Sequence, residues 1–196
     1  APTRVLVRDN LIAAVGDDAS APDAQVIDGR GRTLMPGLID VHVHMTFGAM
    51  SMGALMAPDL TPAMAVQASA AEAEKMLLRG FTSVRDMGGP VWELKAGIDA
   101  GKYLGPRIWP SGPAISQTSG HGDMRLPHEP ARRFTGRVPR MEQLGAGFIA
   151  DGRDEVLTAV RENLRFGASQ IKLMAGGGPS SDYDPLEVTQ YTVDEM

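Results

Sequence analysis

The sequence predicts an α/β fold built on a parallel sheet, and two observations carry this prediction. Strand-like apolar runs alternate with helical segments in the order β, α, β, α, β, long loop, α, β, and such alternation is typical of parallel sheets with right-handed crossovers. The 196 residues are 43% hydrophobic and 22% charged. That composition suits a globular chain with a sizeable core.

Composition excludes several classes of function. The net charge is −5 and no basic stripe is interleaved with aromatic residues, so we expect no nucleic-acid partner. Without cysteine there are no disulfides or thiolate sites, and a metal must be held by His, Asp, Glu or a modified Lys. No apolar run reaches the roughly 18 residues that span a bilayer, so no membrane partner is expected. Because the chain starts without Met, both the cytoplasm and the periplasm or secretion after signal removal stay open.

The first 34 residues are predicted to form a small β unit. The runs "RVLVR" and "LIAAV" flank Asp9 and Asn10, a two-residue turn suited to positive φ. The segment "AQVIDGRGRTL" is predicted to form a second strand pair around Gly29–Gly31. Since this unit, residues 1–34, is too small to bury a core alone, we expect it to pack on another part of the protein.

The rest of the chain predicts four strands of a parallel sheet with helices between them. Residues 37–44, "GLIDVHVH", form an apolar run typical of a strand buried on both faces. Thr61 caps the clearest helix, which Gly80 ends. The further predictions, in chain order, are a strand at 81–86, a helix at 90–102, a strand at 106–112, an irregular stretch at 111–150, a helix at 154–167, a strand at 168–178 and a helix start at Thr192 with the capping-box partner Glu195.

His42 and His44 come at the end of the first predicted parallel strand. Residues i and i+2 of a strand point to the same face, so the two imidazoles project together, with Asp40 one step below. Active sites of open α/β sheets and barrels lie at this end of the strands. The pair therefore indicates a metal site, although two polar residues interrupting a buried strand would give the same pattern.

Lys172 lies near the end of the predicted strand "QIKLMAGGG". A lysine there must be neutralised, paired or modified, because burying an unpaired ammonium is costly. Three interpretations stay open: a lysine whose ammonium reaches the solvent at the sheet edge, a Schiff-base lysine, or a lysine carboxylated by carbon dioxide. The last would be an anion with two oxygens, able to bridge two metal ions.

Four segments resemble the amidohydrolase superfamily of metal-dependent hydrolases. "PGLIDVHVH" resembles its opening signature, and "GFTSVRDMGG" its second strand and following loop. "GPRIWPSGPAISQTSGHGD" and "GASQIKLMAGGG" resemble the branch with imidazolonepropionase-like enzymes, Xaa-Pro-type dipeptidases and ochratoxin-type amidases. The resemblance covers nearly the whole chain. It implies a (β/α)8 TIM-type barrel with a small β-sandwich domain: residues 1–34 would belong to the sandwich, and 35–196 would supply about the first four barrel strands.

The resemblance also implies a binuclear metal centre. His42 and His44 would ligate the first of two divalent ions, with zinc as the expected metal. Lys172, as the carboxylated lysine, would bridge both ions. The superfamily's remaining ligands are two histidines after strands 5 and 6 and an aspartate after strand 8, and none of them is in this sequence. We therefore expect the N-terminal half of an enzyme, inactive alone, that partners with its C-terminal half; a homo-oligomer is also expected.

The activity implied is hydrolysis of a C–N bond by a metal-bridging hydroxide. The substrate would be a dipeptide, an N-acyl amino acid or a related amide, such as an ochratoxin-like amide. One alternative is an imidazolonepropionase-like cyclic amidase with one metal. Another, from a different class, is a non-catalytic barrel half that acts as an assembly module.

Two further residues are candidates for catalysis. His121, in "TSGHGD", lies near the substrate in the branch that the chain resembles, where it would contact a carbonyl or carboxylate. It could equally be a loop histidine that bonds only its neighbours. Tyr183 follows the Lys172 strand and could donate a hydrogen bond to a carbonyl oxygen as charge develops, or it could be a solvent-facing loop residue.

The remaining polar candidates have mainly structural interpretations. Asp123 is predicted to hold the His121 loop or to orient His121, and His128 is predicted to lie on a surface loop. Arg85 and Asp86 are predicted to form a structural pair, or else to help bind a substrate carboxylate. Gly176–Gly178 is predicted to be a turn beside the metal, because the ending of a phosphate-binding loop is absent.

Overall fold

The computed structural model describes residues 3–179, 181 and 183–196. Ala1 and Pro2 of the predicted β domain, and Ser180 and Asp182 of "SSDYDP", lie outside the described residues. The chain divides into two compact units, one up to residue 36 and one from residue 37 to 196. The division falls close to the predicted boundary, while the assignment of the first unit to a β-sandwich stays a prediction.

The helices and strands are numbered along the chain. The strands are β1 (Val5–Arg8), β2 (Leu11–Val15), β3 (Leu38–Val43), β4 (Phe81–Asp86), β5 (Arg107–Pro110), β6 (Ala114–Ser116) and β7 (Gly147–Ile149). The helices are α1 (Met45–Ala49), α2 (Met52–Met56), α3 (Pro62–Leu78), α4 (Trp92–Asp99), α5 (Arg132–Thr135), α6 (Arg140–Gln143) and α7 (Arg153–Arg165). No helix in the described part of the chain is both long and apolar enough to cross a membrane.

The first unit contains the predicted hairpin. Strands β1 and β2 pair antiparallel, and Asp9 in the turn adopts a φ of 54°. The second predicted strand pair is wrong: Arg32 N–H donates to Gly29 O at 2.9 Å to close a turn, but the flanking residues form no strand. Val26 and Ile27 are 87% and 86% exposed. A two-stranded ribbon is marginal without further packing, and Leu11, Ile12 and Val15 of β2 are each more than 60% exposed.

The second unit is built on a parallel sheet of β3, β4 and β5, in that order. Thr61 Oγ1 accepts the Met64 N–H at 3.3 Å at the start of α3, as the sequence predicts. The main core lies where α3 and α4 pack on the sheet, and its buried residues are Met45, Ala70, Ala73, Val84, Val91, Leu94 and Ile108. The alternation of parallel strands and helices is thereby confirmed.

The stretch 111–150 is less irregular than predicted. It contains the parallel pair β6–β7 and the short helices α5 and α6. Elements of three or four residues show no recognisable hydrophobic period, so the sequence pattern could not reveal them. These short elements matter for the candidate site because β6 also forms backbone hydrogen bonds with the segment that contains Lys172.

The predicted strand at 168–178 is not a regular strand in the structure. It forms isolated bridges, parallel between Ile115 and Leu173 and antiparallel between Gly176 and Thr189. Ile115 N–H donates to Lys172 O, and Met174 N–H to Ile115 O, both at 2.9 Å. The segment therefore runs beside β6, but its pairing is too short to count as a strand.

Strand β3 is not buried on both faces, contrary to prediction. Ile39 and Val41 are 67% and 58% exposed. The strand pairs with β4 along one edge, and no strand in the described residues pairs with its other edge. An apolar strand of this kind normally has neighbours on both sides, so burial of β3 needs elements that the described residues do not supply.

Residues 45–56, a methionine-rich segment that follows His44, contribute side chains to the hydrophobic clusters. Met45 is buried in the main core. Met50 and Met56 pack against a second cluster around Leu55 and Met141. At the far end of the chain, Thr192 and Glu195 form the predicted reciprocal capping bonds, in a turn rather than in a regular helix.

Candidate metal centre

His42 and His44 lie side by side at the C-terminal end of β3. Their ring centroids are 5.4 Å apart, with the planes at 67°. The register between β3 and β4 shifts between Asp40 and Val43, yet the two imidazoles remain neighbours. His42 is exposed and His44 is half-buried. The predicted juxtaposition of the two rings is thus present in the structure.

One nitrogen of His44 already has a partner. Its Nδ1 lies 3.3 Å from the carbonyl oxygen of Gly88. A carbonyl can only accept, so Nδ1 carries the proton and Nε2 keeps its lone pair. Backbone hydrogen bonds of this kind are typical partners of metal-bound histidines.

Electrostatics keep the His44 ring neutral. Burial lowers the pKa of His44 below its usual value, and the nearby charges of His42 and Lys172 lower it further, against the opposing effect of the Gly88 hydrogen bond. A neutral imidazole is the form that binds a metal ion. Both the tautomer and the protonation state of His44 therefore fit a metal ligand.

Lys172 lies on the segment that is bonded to β6, within electrostatic range of His44. Its side chain is half-buried, and its charge acts on His44. Within the described residues, the Lys172 ammonium forms no ion pair with a carboxylate. The half-buried Lys172 thus has no carboxylate counter-ion among the described residues, and its three interpretations stay open.

The described residues provide only part of a metal site. In residues 3–179, 181 and 183–196, no three His, Asp or Glu side chains come together in a metal-binding group. Asp40, which shares the face of the histidines in the sequence pattern, accepts the His42 N–H on Oδ1 at 3.0 Å and so supports the backbone of β3. The donors present are two imidazoles and one lysine.

His121 is the centre of a polar cluster, most of whose members were not predicted from the sequence. Its Nδ1 lies 2.8 Å from Ser181 Oγ and 2.9 Å from Asp184 Oδ2. Its backbone N–H donates to Gln190 Oε1 at 3.1 Å. Asp184 and Gln190 are buried. Sequence reasoning missed these partners, and the available signal was the acidic pair that flanks Tyr183 in "SSDYDP".

Asp184 is held as a carboxylate. Burial would raise the pKa of Asp184, but hydrogen bonds from Ser181, His121 and the Gly178 N–H outweigh that effect and keep it below its usual value. The Gly178 N–H donates to Asp184 Oδ2 at 2.9 Å. The anion thus sits where it can orient the His121 ring.

The other polar candidates on loops are Asp123, Tyr183 and His128. Asp123 accepts the Ser119 N–H and the Arg125 guanidinium, at 2.8 Å and 2.5 Å, and thereby holds the loop. Tyr183 is 53% exposed, and its carbonyl accepts from Ser119 Oγ at 3.2 Å. His128 lies on the surface. The catalytic role of Tyr183 stays a prediction.

Arg85 and Asp86 do not form the predicted pair. Arg85 Nε donates to Val41 O at 2.6 Å, whereas the Asp86 carboxylate accepts the backbone N–H of Met45 at 2.7 Å and of Gly88 at 3.1 Å. Adjacent strand residues point to opposite faces, which is why the two side chains separate. Burial raises the pKa of Asp86 to about 7, against the effect of those two hydrogen bonds.

The glycines after Lys172 allow close approach of the chain. A Cβ on Gly177 would overlap the carbonyl oxygen of Pro185, and one on Gly178 would overlap the His121 ring. A Cβ on Gly176 would lie 3.6 Å from Val188 O, an ordinary contact. Gly177 and Gly178 are therefore needed for the close packing of this turn against Pro185 and His121, whereas Gly176 is not.

Because of this difference, we expect alanine substitutions at the neighbouring residues Gly176 and Gly177 to have different effects on stability. We expect Gly177→Ala to destabilise the protein by about 1–3 kcal/mol, because overpacking against backbone forces the chain to move. Gly176→Ala is the matched control and should change stability by less than about 0.5 kcal/mol. Urea unfolding monitored by circular dichroism measures both, and equal effects would contradict the described packing of this turn.

Comparison with known proteins decides the family. The model of the amidohydrolase family matches residues 33–196. The chain belongs to the amidohydrolase family. Amidohydrolases are generally metal-dependent, which agrees with the donors found at the end of β3.

Three relatives show the extent of the likeness. Ochratoxinase from Aspergillus niger is 35% identical over 206 aligned positions, covering 98% of this chain and 42% of that protein. The crystal structure of a prolidase complexed with N-methylphosphonate-L-proline is 41% identical with a TM-score of 0.85, covering 97% of this chain and 46% of that one. A Xaa-Pro dipeptidase with bound methionine in the active site is 31% identical with a TM-score of 0.78, covering 98% and 47%.

The amidohydrolase chain thus spans less than half the length of these relatives. Its structural neighbours are amidohydrolase TIM-barrel proteins. The prediction of a TIM-type barrel, present here in part, is confirmed, and so is the predicted superfamily. The roles assigned to individual site residues stay predictions.

Proposed function

We propose that this chain is the N-terminal half of a metal-dependent amidohydrolase that cleaves a C–N amide or peptide bond. One observation carries the proposal: a neutral His44, with Nε2 left for a ligand, lies beside His42 and within electrostatic reach of a half-buried Lys172 that has no carboxylate partner in the described residues. A neutral imidazole with one ring nitrogen left for a ligand, beside a second imidazole, is an arrangement that suits a divalent metal ion.

His42, His44 and Lys172 would hold the metal. His42 and His44 would ligate the first of two divalent ions, most simply zinc, and Lys172, carboxylated by carbon dioxide, would bridge both. Carboxylation turns a cation, which would repel metal ions, into an anion with two oxygens that can ligate them. When bound, two such ions polarise a carbonyl and supply hydroxide from water at neutral pH.

His121 and Tyr183 would act on the substrate. The Asp184 carboxylate, 2.9 Å from His121 Nδ1, would fix the orientation of the imidazole, as carboxylates do for functional histidines. His121 would then contact the substrate carbonyl or carboxylate. The Tyr183 phenol would donate a hydrogen bond to the carbonyl oxygen as negative charge develops.

The relatives suggest the substrate class. They include an ochratoxinase, a Xaa-Pro dipeptidase and a prolidase bound to a phosphonate derivative of proline. We therefore propose a dipeptide, an N-acyl amino acid or an ochratoxin-like amide. The part of the protein that this chain does not cover would supply the remaining ligands, so the 196 residues alone should be inactive. We further propose a homo-oligomer.

Hydrolysis and metal content of the full-length protein test the proposal together. Xaa-Pro dipeptides, other dipeptides, N-acyl amino acids and an N-aroyl phenylalanine are incubated with the enzyme, and the released amine is quantified. Cyclic amides, the substrates of the alternative, are assayed in parallel for ring opening. Metal per chain is measured by mass spectrometry of the same sample. We expect release from at least one class, two metal ions per chain, and loss of activity after removal of the metal by a chelator.

Two results would favour the alternatives. One ion per active site, with Lys172 unmodified and activity only on cyclic amides, would support an imidazolonepropionase-like amidase. No bound metal, and no hydrolysis across the panel, would support a non-catalytic assembly module and would refute the proposed function.

A further inference from the structure

Asp86 is a buried carboxylate that joins two segments around His44. It ends β4, and its side chain is fully buried, with 0% exposure. Oδ2 accepts the Met45 N–H at 2.7 Å, and Oδ1 accepts the Gly88 N–H at 3.1 Å. Met45 directly follows His44, and Gly88 belongs to the loop after β4. The Asp86 carboxylate therefore fixes two backbone positions near the His44 imidazole: Met45, the next residue in sequence, and Gly88, in the loop after β4.

Gly88 extends this link to the ring itself, through the two peptide groups that meet at its Cα. Its carbonyl oxygen lies 3.3 Å from His44 Nδ1, and its N–H is bound to Asp86. The φ of Gly88 is 136°, in a region that L side chains rarely adopt. A Cβ there would lie 3.7 Å from His44 Nδ1 and 3.4 Å from Ala114 Cβ. Gly88 is thus packed directly against the imidazole.

The backbone of Asp86 reaches the Lys172 segment as well. Its carbonyl oxygen accepts the Ser111 N–H at 2.9 Å and Gln170 Nε2 at 3.1 Å. Gln170 lies two residues before Lys172. The end of β4 therefore connects the segment that contains His44 with the segment that contains Lys172.

We infer that Asp86 is a positioning residue for the metal centre: its carboxylate holds Gly88 and the start of α1 so that the Gly88 carbonyl keeps the His44 proton on Nδ1 and Nε2 faces the metal. This inference rests on the proposed function, because it takes His44 as a ligand. Groups that orient a ligand in this way typically change metal affinity by about 10–100-fold when they are replaced.

The test compares Asp86→Asn with Asp123→Asn in the full-length metalloprotein. Asn has the same shape but turns an NH₂ donor toward one of the two N–H groups, so one hydrogen bond is lost. Asp123 is a matched control, because it is also a buried carboxylate that accepts a backbone N–H, yet it holds the His121 loop. Zinc affinity is measured by competition with a chromophoric chelator, and unfolding by urea.

We expect about 10–100-fold weaker zinc binding for Asp86→Asn and unchanged zinc binding for Asp123→Asn, although both variants should lose stability. A purely structural role of Asp86 would lower stability alike in both and leave zinc affinity unchanged, and that result would overturn the inference while leaving the proposed function standing. If the unsubstituted protein bound no zinc, the proposed function would fail first, and the inference with it.

A second measurement needs no variant and covers the case in which Asp86→Asn does not fold. Nitrogen NMR of the zinc-loaded, histidine-labelled protein reports which ring nitrogen of His44 carries the proton. We expect the proton on Nδ1 and the metal on Nε2. Zinc bound through Nδ1 of His44 would overturn the inference even if zinc affinity and activity were normal.

Discussion

In the full-length protein, Lys172→Ala is expected to lower kcat/KM by about a thousandfold or more. The substitution removes the carbamate that would bridge both metal ions. Metal ions contribute several kcal/mol of transition-state stabilisation, and each 1.36 kcal/mol corresponds to a factor of ten in rate. The fold should survive, since the hydrogen bonds that tie this segment to β6 are made by Lys172 O and Met174 N and not by the side chain.

Chemical rescue separates a carboxylated lysine from the other interpretations of Lys172. Added formate or acetate supplies the two oxygens that the carbamate would provide, so it should restore part of the activity and of the metal content of Lys172→Ala. A Schiff-base lysine would not be rescued by a carboxylate. The exposed Lys75 offers a control, because Lys75→Ala should keep full activity. Near-normal activity of Lys172→Ala would refute the bridging role.

The second large effect is expected for His42→Ala. Loss of this imidazole should release the first metal ion and reduce kcat/KM by at least about a hundredfold, because the Lewis-acid contribution of that ion is lost. The His42 side chain is exposed, so the stability of the metal-free protein should change by no more than about 0.5 kcal/mol. Metal analysis, steady-state kinetics and thermal unfolding of the metal-free protein measure the three quantities.

His128→Ala is the matched control for His42→Ala. Both histidines are exposed in the structure, but only His42 adjoins another histidine ring. The control should retain its metal and its activity. Metal content and activity of His42→Ala equal to those of His128→Ala would remove His42 from the site, and with it the interpretation of the His-x-His pair.

Much of the fold was predictable because its signals are local. Thr61, Pro62 and Gly80 mark the ends of α3, since caps and breakers act within one turn of the helix. Apolar runs at 81–86 and 106–112 identified β4 and β5. By contrast, β6 and β7 span three residues each and exist through pairing with each other, which no short window of sequence can reveal.

The candidate site divides in the same way. The sequence alone determined that His42 and His44 share a face, because strand geometry imposes a period of two, and its motifs determined the amidohydrolase family. Only the tertiary structure decided the rest: the Gly88 carbonyl on His44 Nδ1, the Asp86 carboxylate between Met45 and Gly88, and the Asp184 carboxylate on His121. The His44–Gly88, Asp86–Met45 and His121–Asp184 contacts join residues 41 to 63 positions apart. Hydrogen bonds between such distant residues depend on how the strands and loops pack, and they leave no pattern along the chain.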